Sequence, residues 1–513
     1  MSIRRRLLRV DSMAESLGVY VPAVVVQRLV NLLRMVLFIW LMGKVQFGLL
    51  GLATMVFTLA STVVTLGGFN GIIRYVSYYQ ARGQLRAFYR ASMWQLAGVA
   101  GLLTLAGLAA GPWLTDLAIG TTSGASSIGS GEREAVFRAA MINGLLAGLY
   151  LNLTAWLRGL RAYRLLAVID VLYALLFLGL GLGVLRFSPT ALGTLAAHAV
   201  SLALALGLGV WALHWLVRQT EQERPHDAPP TALDGATILR RLLIFSGVSL
   251  AGGLIWQAQS YTSLWFIQRF HGEEGAGTYQ AYFGLCQAIP VLAMTVWAVV
   301  LSHVSMHWEA NSRDLARSQL EVSYKAMTLA LTALAVLLVL TVDLWVAVLP
   351  EDFRPARPLL PWLLMYFLSS ANLGYVYIAS TLHERPGVSC LTGLAAWLTN
   401  IALAAWLVPA SLDGGPYAGP YAGAMAAGLA GGVCLLVSAG YLLLSRFGAS
   451  PSAIALSFSP ALLLLPPLWA GLGLTGLLVI TFATPTILSA DQKRLLLSSA
   501  GKMLAKLPWL RRA

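Results

Sequence analysis

Apolar residues come in runs of about one bilayer crossing each, repeated from residue 18 to residue 489. The runs lie near 18–43, 48–72, 91–112, 136–157, 165–185, 191–216, 242–268, 279–301, 326–349, 359–382, 388–408, 421–445, 453–470 and 472–489. Each approaches the ~20 residues that a spanning helix needs, and none shows the alternating segments of about ten residues that mark a membrane β-barrel. They predict an all-α polytopic membrane protein of about fourteen transmembrane helices, numbered here in that order. The last two runs are the weakest. Pro460, Pro466 and Pro467 interrupt the thirteenth and the turn after it is very short, so a re-entrant pair is the rival reading there.

The polar gaps set the organisation. The longest between helices is Val217 to Arg240, with RQTEQERPHDAPPTALDGAT inside it, and it divides six helices from the next six. Helix 1 ends in GKVQFG and feeds into helix 2; helix 7 ends in RFHGEEGAGTYQ and feeds into helix 8. Both are polar-centred helices followed by a short glycine-containing turn. Six is even, so both halves start on one side, as in a parallel pseudo-repeat. The expected layout is a basic cytoplasmic N-terminus (1–17), an N-lobe of helices 1–6 (18–216), a cytoplasmic linker (217–240), a C-lobe of helices 7–12 (241–445), helices 13 and 14 (446–490) and a basic amphipathic cytoplasmic tail (491–513).

Charge orients this layout. With the N-terminus inside, 26 of the 35 Lys and Arg fall on cytoplasmic segments and seven on outer loops. That is a strong positive-inside bias, and it places both termini and the linker in the cytoplasm. The net charge of +14 then follows from topology and anionic lipid, with no call for nucleic acid. The basic N-terminus has no small-residue cleavage site after a short apolar core, so it does not read as a cleavable signal. Cys286, Cys390 and Cys434 fall within helices, at no spacing that suggests a metal or a disulfide.

The two remaining arginines lie inside helix 1, GVYVPAVVVQRLVNLLRMVLFIWLMG. An arginine at the centre of a membrane helix costs at least ~2.5–3.5 kcal/mol and marks a functional site by default. At about 100° per residue, Gln27, Arg28, Asn31 and Arg34 occupy one sector of about 120°. They read as an anion-binding pair, Arg28 and Arg34, with Gln27 and Asn31 lining the same cavity. The bland alternative pairs the arginines with buried acids, of which Asp170 and Asp343 are the nearest to membrane depth. Asp170 caps helix 5, pairs with Arg164 or couples transport to an ion. At the end of helix 2, Asn70 lines the cavity, and Arg74 is either a topological anchor or a ligand. Helix 7 adds Gln257, Gln259 and Tyr261, amides and a ring suited to sugar hydroxyls and apolar sugar faces, or else to helix packing. His198 and His214 read as structural or interfacial. No P-loop, HExxH or interfacial DxD pair appears, so no enzyme and no cofactor are expected.

Three stretches resemble the polysaccharide transporters of the MOP superfamily, the flippases of lipid-linked oligosaccharides: Gln46 to Tyr75 (QFGLLGLATMVFTLASTVVTLGGFNGIIRY), Pro350 to Leu364 (PEDFRPARPLLPWLL) and the helix 7 start LLIFSGVSLAGGL. The resemblance implies two six-helix lobes around a cavity that opens alternately to either face. It implies export of an undecaprenyl-diphosphate-linked oligosaccharide across a bacterial inner membrane for cell-surface polysaccharide synthesis. The expected partners are that substrate, membrane lipids, a polysaccharide polymerase and glycosyltransferases. Lipid II flippases of the same superfamily also carry two arginines in helix 1, but the second half here is much less basic. A multidrug antiporter would need acids in the cavity, and a membrane glycan polymerase or ligase a large basic outer loop.

Overall fold

A computed structural model describes residues 13–66, 69–81, 83–109, 111–119, 129–222, 235–309, 312–383, 385, 387–444 and 449–494. The first twelve residues, the Gly/Ser loop at 120–128, the centre of the linker at 223–234 and the tail beyond 494 lie outside them.

All regular structure among the described residues is helical. Two helices are too long for one crossing: Met13–Thr65 has 53 residues and Gly235–Cys286 has 52. Each breaks at a single glycine, Gly43 at φ 71° and Gly272 at φ 69°. A side chain at either position would be strained in this left-handed conformation. The breaks define α1 (13–42), α2 (44–65, resuming as Phe69–Ala81), α7 (235–271) and α8 (273–286, resuming as Ala288–Glu309). The others are α3 (Leu85–Ala109, then Gly111–Ala118), α4 (Ser130–Gly159), α5 (Tyr163–Phe187), α6 (Ala191–Gln222), α9 (Arg313–Leu340), α10 (Leu359–Leu382), α11 (Gly387–Ala410), α12 (Ala418–Leu444), α13 (Pro451–Ser457, continuing as the 3-10 turn Ser459–Leu464) and α14 (Pro467–Ala483). These follow the predicted runs. Among the described residues, eight helices, or nine with the bent α3, are long and apolar enough to span by themselves, and Pro22–Thr65 holds two crossings.

By packing, the chain forms two compact units, Met1–Gly284 with Ala404–Gly423, and Leu285–Leu403 with Ala424–Ala513. In the first, contact registers reveal helix direction. Tyr20 meets Tyr163 (5.5 Å between ring centres), Arg34 sits over Phe177, and Phe38 packs on Gly181. The partners advance together, so α1 and α5 are parallel. Likewise Gly144, Gly148 and Gly159 of α4 lie on Ala60, Val64 and Val76 of α2, small residues allowing two helices to approach closely. Between α2 and α7 the order reverses: Thr58 meets Tyr261 and Thr62 meets Gly253. Helices of equal parity run together and α2 opposes α7, as alternate crossings require.

In the second unit, Tyr324 stacks on Tyr375 at 4.6 Å and Thr328 donates to Asn372 at 2.9 Å, so α9 and α10 are antiparallel. The α13–α14 segment follows α9 along its length. Ser450 bonds Glu321, Tyr324 meets Ser457 at 2.6 Å, Thr332 meets Ser459 at 2.8 Å, and Gly471 packs on Leu340. From Glu321 to Leu340 a helix rises about 28 Å, nearly the ~30 Å of a hydrocarbon core. The segment therefore reaches from one end of α9 to the other, which favours two crossings over a re-entrant pair. Lys325 is 2% exposed and pairs with Glu321 at 2.6 Å.

Candidate substrate site

The polar sector of α1 faces α5. Gln27, Asn31 and Arg34 are half-buried and Arg28 is exposed. Opposite them, Asp170, Tyr173 and Phe177 follow one another at helical spacing and share one face of α5. The Arg34 guanidinium lies 4.0 Å above the Phe177 ring, a cation–π contact worth ~0.5–2 kcal/mol. Its Nη1 is buried and has no hydrogen-bond partner, and neither has the Asn31 Oδ1. No ion pair involves Arg34 among the described residues; its electrostatic neighbours are Tyr173 and Arg28.

The two arginines differ in this respect. Arg28 lies within electrostatic reach of Asp170. Asp170 accepts a hydrogen bond from Tyr150 at 2.5 Å and a longer one from Tyr20 at 3.5 Å. The Tyr20 hydroxyl in turn accepts from Arg158 at 2.9 Å. Arg164 is not an Asp170 partner; six residues away on a helix is about 120° off its face. Asp343 pairs instead with Arg357 at 2.8 Å, and both are exposed. Thus α1 carries one arginine beside a carboxylate and one with none.

Behind Arg34 lies a second layer. The Tyr173 hydroxyl is 2.6 Å from Nε2 of His198, whose Nδ1 is 2.6 Å from Oδ1 of Asn143. Nothing in the sequence singled out Tyr20, Tyr150, Tyr173 or Phe177; the available signal was the spacing of Tyr173 and Phe177 from Asp170.

The remaining predicted residues lie elsewhere. Gln257 is half-buried. Gln259 (1% exposed) and Tyr261 (6%) are buried, Tyr261 against Thr58 and Phe283. Asn70 and Arg74 sit on Phe69–Ala81, but their side chains lie outside the described residues. Among the described residues, no three His, Cys, Asp or Glu side chains gather as a metal site would need. Near the other end of α10, outside the spans, burial and the neighbouring Arg317, Arg385 and Arg313 hold His383 below the usual histidine range.

Where the glycine-broken turns meet, Lys44 pairs with Glu274 at 3.2 Å, and Arg133 with Glu273 at 2.7 Å. The second pair is buried, at 9% and 4% side-chain exposure.

This arrangement has known counterparts. The fold is similar to the lipid II flippase MurJ in an inward closed conformation, with a TM-score of 0.64 and 12% identity over 90% of this chain and 99% of that one. It is also similar to a MATE structure in complex with MaL6 (0.58, 14%, 86% and 99%) and to a MOP superfamily transporter from Pyrococcus furiosus (0.51, 15%, 87% and 100%). At these identities the likeness is one of fold, that of multi-pass membrane transporters. No curated protein matches. The profile of the family described as polysaccharide biosynthesis protein matches residues 13–301, more than half of the chain. That stretch holds α1, α5 and the whole arginine site, and the chain belongs to this polysaccharide biosynthesis protein family.

Proposed function

We propose that the chain is a flippase that carries a polyprenyl-diphosphate-linked oligosaccharide from the inner to the outer leaflet of a bacterial inner membrane by alternating access. The observation that carries this reading is the buried, unpartnered Nη1 of Arg34, with the unpartnered Oδ1 of Asn31 on the same sector of α1. A guanidinium fits phosphate oxygens in shape and charge. Arg28, exposed on the same sector, supplies a second contact. Two moderate contacts suit transport, because one very tight site would trap the anion. Asp170, next to Arg28, is the group placed to compete with the phosphate and so to link an ion to the cycle. Gln257 is the helix 7 amide left accessible to a glycan. A lipid II substrate would offer the same diphosphate, so glycan identity separates the two readings.

The test is reconstitution in liposomes with a fluorescent, polyprenyl-diphosphate-linked oligosaccharide loaded in both leaflets. Protein-bearing vesicles should let an external quencher reach nearly all of the label, and empty ones about half. Equal quenching in both would sink the proposal. Sidedness has its own check. In a variant lacking the native cysteines, a cysteine at Gly414 should react with an impermeant reagent on intact cells, and one at Thr231 should not. Gly414 lies in the short 3-10 turn Leu412–Gly414 between α11 and α12, whereas Thr231 belongs to the linker outside the described residues. Labelling of Thr231 would reverse the topology.

A further inference from the structure

We infer that Phe177 is a positioning residue for Arg34: its ring holds the guanidinium by the face, so that the donor edge stays free for phosphate oxygens. The inference rests on the reading of Arg34 as a diphosphate site.

The ring is set in place by its neighbours. On α1, Arg34 and Phe38 are four residues apart and so share a face. Both meet Phe177 of α5. The Arg34 guanidinium carbon lies 4.0 Å above the ring, and Phe38 packs on it edge-on with 5.7 Å between ring centres. Phe38 also fills the space over Gly181, one helical turn after Phe177, where a Cβ would overlap the Phe38 ring. The His198 imidazole of α6 makes a third contact, 4.6 Å from the Phe177 ring centre. Phe38 (3% exposed) and Phe177 (8%) are buried. A ring wedged among residues of two other helices does not turn aside, so the surface it offers Arg34 is fixed.

The kind of contact decides what Arg34 has left to offer. A guanidinium carries five N–H donors, all in its own plane. A carboxylate or a backbone carbonyl would hold it by that edge and occupy donors that a phosphate needs. An aromatic ring attracts the cation through its π face instead. A separation of 4.0 Å is ordinary carbon–carbon contact and leaves no room for an N–H pointed at the ring. The guanidinium therefore rests on Phe177 by its face, in keeping with a buried Nη1 that has no partner. A long, flexible side chain is thus ordered before the anion arrives, and binding does not have to order it.

The test replaces Phe177 in the full-length protein with mono-, di- and trifluorophenylalanine. Fluorine draws negative charge from the ring face in steps and leaves the shape nearly unchanged. Binding of two probes, farnesyl diphosphate and farnesol, is measured by calorimetry on the purified protein. Farnesyl diphosphate should bind more weakly at each step, and about fivefold more weakly to Phe177→Leu, a loss within the range of a cation–π contact. Farnesol should bind all variants alike. In an Arg34→Ala background, Phe177→Leu should have no further effect, because the ring acts only through the arginine. Equal loss for both probes would mean a merely structural role and overturn the inference. So would a fluorinated series that binds farnesyl diphosphate like wild type, or an undiminished effect of Phe177→Leu without Arg34. If Phe177→Leu does not fold, the fluorinated series decides alone. The single Arg34→Ala variant separates the two failures. If it keeps farnesyl diphosphate affinity, the diphosphate site is wrong and the inference falls with it. If it loses affinity and the fluorinated series does not, the site stands and only the role of Phe177 is wrong.

Discussion

Replacing Arg34 with alanine should abolish export while the protein still inserts at wild-type levels. The guanidinium has no acid partner among the described residues and a buried Nη1 with nothing to bond, so its removal relieves the apo protein of a desolvated charge. The loss therefore falls on binding. A charge-assisted hydrogen bond is worth ~1.5–3 kcal/mol, or about 10–100-fold in affinity, and a bidentate contact has two. Lysine should restore part of the activity. It keeps the charge but gives up the planar fork and the stacking on Phe177. Arg28→Ala should cost less, because Arg28 already shares its field with Asp170. Export and membrane abundance are measured on the same cells, and flipping in the liposome assay. Wild-type export with glutamine at both Arg28 and Arg34 would show that the charge is not needed, and the anion site would fall with it.

Much of this was legible in the sequence, because a bilayer makes periodicity and charge unusually informative. Fourteen apolar runs became fourteen helices, and the turns GKVQFG and RFHGEEGAG became the two positive-φ breaks at Gly43 and Gly272. The polar sector of α1 was readable from four residues at helical spacing. What it faces was not, because contacts between distant helices leave no local trace. Asp170 looked like a partner for Arg164 six residues earlier; its partners Tyr150 and Tyr20 come from α4 and α1. His198 read as structural or interfacial, and nothing in the sequence signalled that it bonds Tyr173 and packs on Phe177. Gln259 and Tyr261, expected to line the cavity, are buried in this structure. Composition marks a polar helix, but not which of its polar residues pack and which stay open.

Leucine at Gly48 or Gly277 should stop transport as completely as loss of Arg34, without touching the anion site. The two glycines stand five residues after Gly43 and Gly272, and each meets the backbone of the other junction. A Cβ at Gly48 would overlap the carbonyl oxygen of Glu273 and lie 2.7 Å from the Gly277 nitrogen; one at Gly277 would overlap the carbonyl of Lys44. Backbone faces backbone, so no rotamer change relieves the clash. The buried Arg133–Glu273 pair holds the same junction, whereas the Lys44–Glu274 pair, with Glu274 59% exposed, adds little. From Gly48 to Thr62, about 21 Å of helix rise, α2 meets first the start of α8, at Glu273 and Gly277, and then α7, at Tyr261 and Gly253. This contact must close and open if the site is to face each leaflet in turn. A leucine side chain should hold the two helices apart, and alanine should give a graded defect. The readout is export together with crosslinking between cysteines at Thr58 and Tyr261, whose native hydroxyls are 3.5 Å apart. A short reagent should join them in the otherwise unaltered protein and fail to do so with Gly48→Leu. If the leucine variants export normally, or crosslink as well as their parent, the junction does not have to close during the cycle.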